Sequence, residues 1–292
     1  IDLGITHIEM EIPWDEEVPP EKVQNVVDYC INDVEATEAT WNDRAQDFEA
    51  RQILASLSGL SVNETTQKHT AKIVFGDDKN YKDSFVYTDL SEMFPGYEYR
   101  MGKSTYRGEE AGEGGYVYAE PGIYENVALL DVTSMHPTSM EQLDMFGPYT
   151  KNYSALKEAR IAIKHGEFEY AKTLLGGKLA PFLNTPESAE ALSYALKIVI
   201  NIVYGLTSAS FDNPFKDKRN KDNIAAKRGA LFMIDLQKFV QEKGYTVAHI
   251  KTDSIKIPNA TPEIIDLVME FGKDYGYDCE HEATYDKFCL IN

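Results

Sequence analysis

Val23, Val26, Val27, Cys30, Ile31 and Val34 recur at helical spacing, which predicts a helix over 20–56, with Pro20 suited to its first turn. A further apolar stretch ends at Leu60. Residues 57–125 are mixed, with short strand-like runs such as Ile73-Val74-Phe75 set among Gly, Asp and Asn. Gly108 to Gly122 reads as loop apart from a short Tyr116-Val117-Tyr118 strand. The pattern sharpens at Val127-Ala128-Leu129-Leu130, a continuous apolar run predicting a strand covered on both faces and ending at Asp131. A helix follows over 153–175, broken near Gly166. Thr185-Pro186-Glu187 starts another, with Thr as cap and Pro at the first position, running to about Tyr204. A long helix spans about 222–243 and stops at Gly244. Tyr245 to Ile250 and Ser254 to Ile257 read as a β-hairpin, and Thr261-Pro262-Glu263 caps a last helix. Strand, helices, hairpin, helix is an α+β order rather than a repeated βαβ unit.

With 292 residues, 43% hydrophobic and 26% charged, the chain suits one large domain or two ordinary ones. No continuous apolar run approaches the roughly 18 residues of a membrane span, and no signal-peptide pattern opens it. Cys30, Cys279 and Cys289 are odd in number and lack paired metal-ligand spacing, so a disulfide scaffold is not expected and a reducing compartment is. The chain starts on Ile, and Phe288 to Asn292 reads as a strand cut short, so a fragment of a longer protein is expected. The net charge of −19 argues against a simple nucleic-acid binder, yet residues 151–250 hold 15 Lys/Arg against 10 Asp/Glu. One basic segment in an acidic chain is compatible with a phosphate site and equally with a solvated surface.

Candidate chemistry concentrates there and on the flanking strands. Asp131 at a strand end either caps the next turn or points into a crevice. Asp253 at the hairpin tip either makes local turn hydrogen bonds or joins it. Lys197, Asn201 and Tyr204 share one face of the 187–204 helix. A Lys among so many apolar neighbours is expected to need an anion, either a structural carboxylate or a phosphate. Arg160 and Lys164 repeat the spacing one helix earlier, where a solvated face is the plain alternative. Two carboxylates with a cationic clamp suit two-metal phosphoryl chemistry. There is no Ser-His-Asp or Cys-His arrangement, no His pair at i, i+4 and no phosphate-cradling Gly-rich loop before a helix.

These residues carry a resemblance. Asp131-Val132-Thr133-Ser134-Met135-His136-Pro137-Thr138-Ser139 resembles motif A of family B DNA polymerases, D-x-x-S-L-Y-P-S. Lys197 to Gly205 is similar to motif B, K-x-x-x-N-S-x-Y-G, and Lys251-Thr252-Asp253-Ser254 to motif C, D-T-D-S. Tyr29 to Asp33 resembles the third exonuclease motif, Y-x-x-x-D, and Gly114-Gly115-Tyr116-Val117 the Gly-Gly element joining exonuclease and polymerase modules. The five fall in the family's order, in a bacteriophage or other viral style. The resemblance implies a right-hand polymerase: a βαββ-type antiparallel palm sheet, helical fingers, and before them the end of an RNase H-like 3′-5′ exonuclease domain. By it, 1–56 belongs to the exonuclease domain, 57–125 is a connector, 126–150 is palm, 151–205 fingers and 206–292 palm again, ending before the thumb.

The implied roles follow. Asp131 and Asp253 are the catalytic ligands of two Mg²⁺ ions, with Mn²⁺ able to substitute, assisted by the Val132 carbonyl. Arg160, Lys164, Lys197 and Asn201, with Ser134 and Met135 backbone N–H groups, hold the triphosphate of a dNTP. His136 stands at the sugar gate and Tyr204 beneath the nascent base pair. Gly114, Gly115, Lys251 and Thr252 meet primer-template DNA, and Tyr29 and Asp33 belong to the exonuclease site. Replisome or processivity factors are further partners, no membrane is, and the host cytoplasm is the expected location. The sequence departs from the pattern at His136 (Tyr in the family), Lys251 (Asp) and Ile202 (Ser), and lacks the first two exonuclease motifs and the thumb. The rivals are a protein-primed polymerase, for whose insertion the 66 positions from Asp131 to Lys197 leave little room, a phosphohydrolase, and a catalytically silent DNA-binding or replisome-assembly remnant of the same fold.

Overall fold

The computed structural model describes residues 4–6 and 8–291, so Asn292 of the strand-like 288–292 run lies outside the described residues. A 3-10 turn at Pro20–Lys22 leads into α1 (Val23–Asp43). Arg44, at φ −100° and ψ 25°, leaves the helical region and starts α2 (Ala45–Ser58), so the helix expected over 20–56 is two. Its apolar stripe at Val23, Val27, Ile31 and Val34 is exposed. α3 (Thr66–Phe75) is capped by the Thr65 side chain, which accepts from the Lys68 N–H. Ile73-Val74-Phe75 is therefore the last turn of a helix and not a strand. Three apolar residues fit either period, and the cap eight positions earlier decides.

After the short α4 (Leu90–Met93) come β1 (Glu98–Arg100), β2 (Lys103–Tyr106) and β3 (Glu109–Ala111), an antiparallel three-stranded sheet. The stretch expected to be loop after Gly108 thus holds β3 as well as β4 (Val117–Ala119). β5 (Gly122–Val132), α5 (Met135–Gln142), α6 (Thr150–Lys164), α7 (Phe168–Thr173), α8 (Pro186–Ser208) and α9 (Ile224–Glu242) follow. The chain closes with β6 (His249–Lys251), β7 (Ser254–Pro258), α10 (Pro262–Asp274) and β8 (Cys279–Leu290). The second sheet is antiparallel throughout, in the order β4-β6-β7-β5-β8, and so takes in β4 and the start of β5 from the 57–125 stretch.

The large sheet is packed chiefly on one face, and on the other only the Val127 end of β5 is fully covered. Ala128, Leu130 and Val132 of β5, Ile255 and Ile257 of β7 and Ile250 of β6 are buried, with α10 packed on β5 and β8 and α9 packed on α10 and α5. Leu129 and Asp131 alternate onto the other face and are only half-buried. α9 runs through the core with 15 of its 19 residues buried, including Lys227, Arg228 and Asp235. Lys227 and Asp235 are well partnered, as burial requires, whereas Arg228 leaves its Nε and Nη1 without a hydrogen-bond partner among the described residues. Lys227 donates to the carbonyls of Ala111 and Gly112, and Arg228 donates to the Tyr275 carbonyl at 2.7 Å and lies 4.8 Å over the Tyr277 ring. Asp235 accepts from the Tyr106 and Tyr275 hydroxyls and pairs with Arg107 at 3.1 Å.

α8 carries the predicted start: Thr185 and Ser188 form a capping box, with Pro186 at the first position. By length and composition α8 passes as a membrane span, which the search for a continuous apolar run missed. It packs against α2, α3, α5 and α6, with Leu192, Leu196, Val199 and Val203 fully buried, as a core helix does. Truncating Leu196 to Ala there costs about 2–5 kcal/mol.

Candidate active site

The hairpin tip brings the two aspartates together. On the antiparallel β5–β7 ladder Asp131 lies opposite Ser254, the residue after Asp253, and the Val132 N–H donates to the Asp253 carbonyl at 2.8 Å. Asp253 thus sits in the turn one residue from the position opposite Asp131, close enough for its charge to act on the Asp131 carboxyl. The turn between β6 and β7 is tight: Thr252, a β-branched residue, is held at φ 56°. Its N–H donates to the Tyr116 carbonyl at 3.0 Å, and a Cβ on Gly115 would stand 2.9 Å from the Thr252 Cγ2. Gly115 is thus the residue that lets the Gly114-Gly115 strand entry lie against the tip.

Asp131 opens onto a cleft of about 160 Å³ lined also by Ser134, Arg160, Lys164, Glu280 and Glu282. Burial, then Asp253, Glu282 and Glu280, push the Asp131 carboxyl up to about 7, with Lys256 acting against them. Burial and Lys251 lower the Lys256 ammonium, while Asp131, Asp253 and Glu282 hold it up. Opposite the carboxylates, Arg160 is half-buried on α6, its Nε has no partner among the described residues, and burial lowers the guanidinium. Lys164, one turn on, is exposed at the same cleft. The first turn of α5 has no side-chain cap: Ser134 sits at φ 53° and ψ 46°, so the dipole end of α5 opens at the cleft residue Ser134. Met135 turns its side chain inward onto Gly229, where a Cβ would stand 2.6 Å from its Sδ, and this close approach fixes α5 against α9.

His136 stacks on Tyr204 of α8, centroids 4.1 Å apart and planes 5° from parallel. Burial lowers the imidazole, Asp253 opposes this, and its Nδ1 is buried without a partner among the described residues. Tyr204 and Gly114 both line a neighbouring cavity of about 520 Å³, together with Tyr99, Lys221 and Asp222.

Asp131, Ser134, Arg160 and Lys164 thus share one cleft; Lys251, Thr252 and Asp253 form the hairpin tip beside Asp131 and Val132, with the Gly114-Gly115 entry against it; and Met135 and His136 start α5, His136 stacked on Tyr204. Lys197 and Asn201 are not part of the cleft lining. Both are exposed, because Leu196, Val199, Ile200 and Val203 turn the opposite face of α8 inward. The expected burial of Lys197 is corrected accordingly. Tyr29 and Asp33 are a turn apart on α1, where Asp33 accepts from the phenol and raises it. Residue-level reading missed Lys256, Glu280 and Glu282. The alternation of Ser254-Ile255-Lys256-Ile257 would have put Lys256 on the Asp131 face, but the pairing of β8 with β5 has no local signal.

Among the described residues no group of three or more His, Cys, Asp or Glu side chains is arranged as a ready metal cage. The Asp131–Asp253 pair nevertheless fits a hard divalent cation. Its donors are all oxygen, and such an ion would offset the burial and the neighbouring carboxylates that together raise Asp131.

No family model matches the chain, and neither does any curated protein. Among solved structures it is similar to the family B DNA polymerase from the hyperthermophilic archaeon Pyrobaculum calidifontis, with a TM-score of 0.48 and 17% identity. The match covers 94% of this chain and 37% of that one, so the chain spans little more than a third of that polymerase's length.

Proposed function

We propose that this chain is the palm and fingers of a family B DNA polymerase of viral type, with the end of a proofreading exonuclease domain before them. On this reading it performs template-directed DNA synthesis. The observation that carries it is that Asp253, 122 positions from Asp131, lies at the hairpin tip beside it, while Asp131 shares a cleft with Arg160 and Lys164.

In the reaction the primer 3′-oxygen bonds to the α-phosphorus of a dNTP, the bond from that phosphorus to the bridging oxygen breaks, and pyrophosphate leaves. Asp131 and Asp253, helped by the Val132 carbonyl, would hold two Mg²⁺ ions, or Mn²⁺, which supply Lewis acidity to the attacking and leaving oxygens. Arg160 and Lys164 pair with the charge that grows on the departing phosphates. The uncapped α5 terminus offers the Ser134 and Met135 N–H groups to the same oxygens. The His136–Tyr204 stack makes a flat wall at the sugar and base, and the 520 Å³ cavity beyond it has room for the templating side. Gly114, Gly115, Lys251 and Thr252 lie along the primer-template backbone.

Primer extension by the full-length protein tests this. Asp131→Asn and Asp253→Asn are each expected to lower the extension rate by about 10³-fold or more, with primer-template affinity within about threefold of native. Extension within tenfold of native in either variant overturns the proposal.

A further inference from the structure

A second cavity, of about 460 Å³, opens where α3 meets the start of α6 and the 3-10 turn Leu174–Gly177. In a chain of net charge −19 its lining carries Lys72, Lys151 and Lys178 and no carboxylate. Lys72 pairs with Asp77 outside the lining, whereas Lys151 and Lys178 have no ion-pair partner among the described residues. The floor is apolar, made by Leu57, Ile73 and Phe75, and Phe75 is the centre of an aromatic cluster that stacks on Tyr81 at 4.1 Å. Asn152 also lines the cavity, its side-chain amide held by donation to the Val74 carbonyl at 2.7 Å. Leu175, a non-glycine residue, is held at φ 51° and ψ 35°, with Gly176 following at φ 66° and ψ 29°. Such backbone costs of the order of 1–2 kcal/mol and survives only where the surroundings fix it. Here it wraps the chain around the rim and delivers Lys178 to the opening.

Ammonium groups over an apolar floor match an anion joined to a flat, partly apolar body, and the volume suits one such unit. We propose that this cavity is a second nucleotide-phosphate site, taking the phosphate on Lys151 and Lys178 and the base against the floor. Lys151 and Lys164 are 13 positions apart on α6, about 20 Å at the helical rise, so the site is separate from the catalytic cleft. It does not depend on the polymerase reading. The same chemistry is presented by a free nucleotide and by one unit of a single strand.

The test uses the whole protein in EDTA, which silences any cation-dependent binding at Asp131. The probes are AMP, with 8-azido-AMP for covalent mapping, and the octamer (dT)8. Native protein is expected to bind at least one probe, with azido label on peptides within 72–76, 151–155 or 175–178. Lys151→Met with Lys178→Met is expected to weaken binding at least tenfold and to reduce the slope of log affinity for (dT)8 against log salt by about 1.4. Ala155→Met, which fills the cavity and keeps both lysines, is expected to do the same to affinity. Binding of AMP and (dT)8 assigns the site to free nucleotide, and binding of (dT)8 alone to a strand. No binding of either probe by the native protein, or full binding and labelling in the Lys151/Lys178 variant, overturns the proposal.

Discussion

Burial and three neighbouring carboxylates raise Asp131 from 3.8 to about 7, and this ties the fold's stability to pH. Between those values the folded chain binds a proton that the unfolded chain has lost, so stability falls as pH rises through that window. At pH 8 the full penalty is present, and at pH 4 almost none. Asp131→Asn is therefore expected to stabilise the protein at pH 8, by about 1 kcal/mol once solvent screening of this half-exposed group is counted, and to change little at pH 4. Thermal melts of native and variant at the two pH values check this, and equal shifts at both would contradict it. The same residue shows what the sequence could tell. Its place at a strand end was readable from Val127 to Leu130, but its charged neighbours Glu280 and Glu282 come from a strand some 150 positions away. Lys197 shows the opposite failure: apolar neighbours in sequence suggested burial, and the direction of the packed face on α8 left it in water.

At the scale of elements, the hairpin tip is held by a neighbouring strand entry as well as by its own turn, in which the Asp253 N–H and the Ser254 hydroxyl donate to the Lys251 carbonyl. Thr252 pays for its left-handed backbone with the bond to Tyr116 and the contact with Gly115. Gly115→Ala is expected to push the Thr252-Asp253 turn by a few tenths of an ångström or more, to lower primer extension by up to about 10²-fold and to cost about 1–3 kcal/mol of stability. An unchanged extension rate in a folded Gly115→Ala protein would show that the tip does not depend on this contact. Elements with strong local signals were legible: the Thr185 cap and Pro186 set α8, Thr261 accepts from Ile264 to start α10, and the β6–β7 hairpin falls where the turn residues predict. Ile73-Val74-Phe75 was not, since its helix is set by Thr65. Nor was the chiefly one-sided cover of β5, since a continuous apolar run hides an alternation that only the packed helices reveal.

Across the whole molecule, charge is sorted rather than uniform. Cations from α6 face the carboxylates of β5, β8 and the hairpin tip, and a second group of lysines gathers about 20 Å away at the start of α6. The α+β order read from the chain is the order observed, with one large antiparallel sheet backed by α9 and α10. The five motif-like segments were read in chain order, and the fold draws three of them, at 114–117, 131–139 and 251–254, to one end of that sheet, with Tyr204 stacked on His136. The central claim is that Asp131 and Asp253 jointly hold divalent cations beside a nucleotide's phosphates. Counting bound Mn²⁺ by electron paramagnetic resonance at pH 8 in the presence of dATP tests it most directly. The account predicts two ions on the native protein and one or none on Asp131→Asn and Asp253→Asn. An equal count on native and both variants would contradict it.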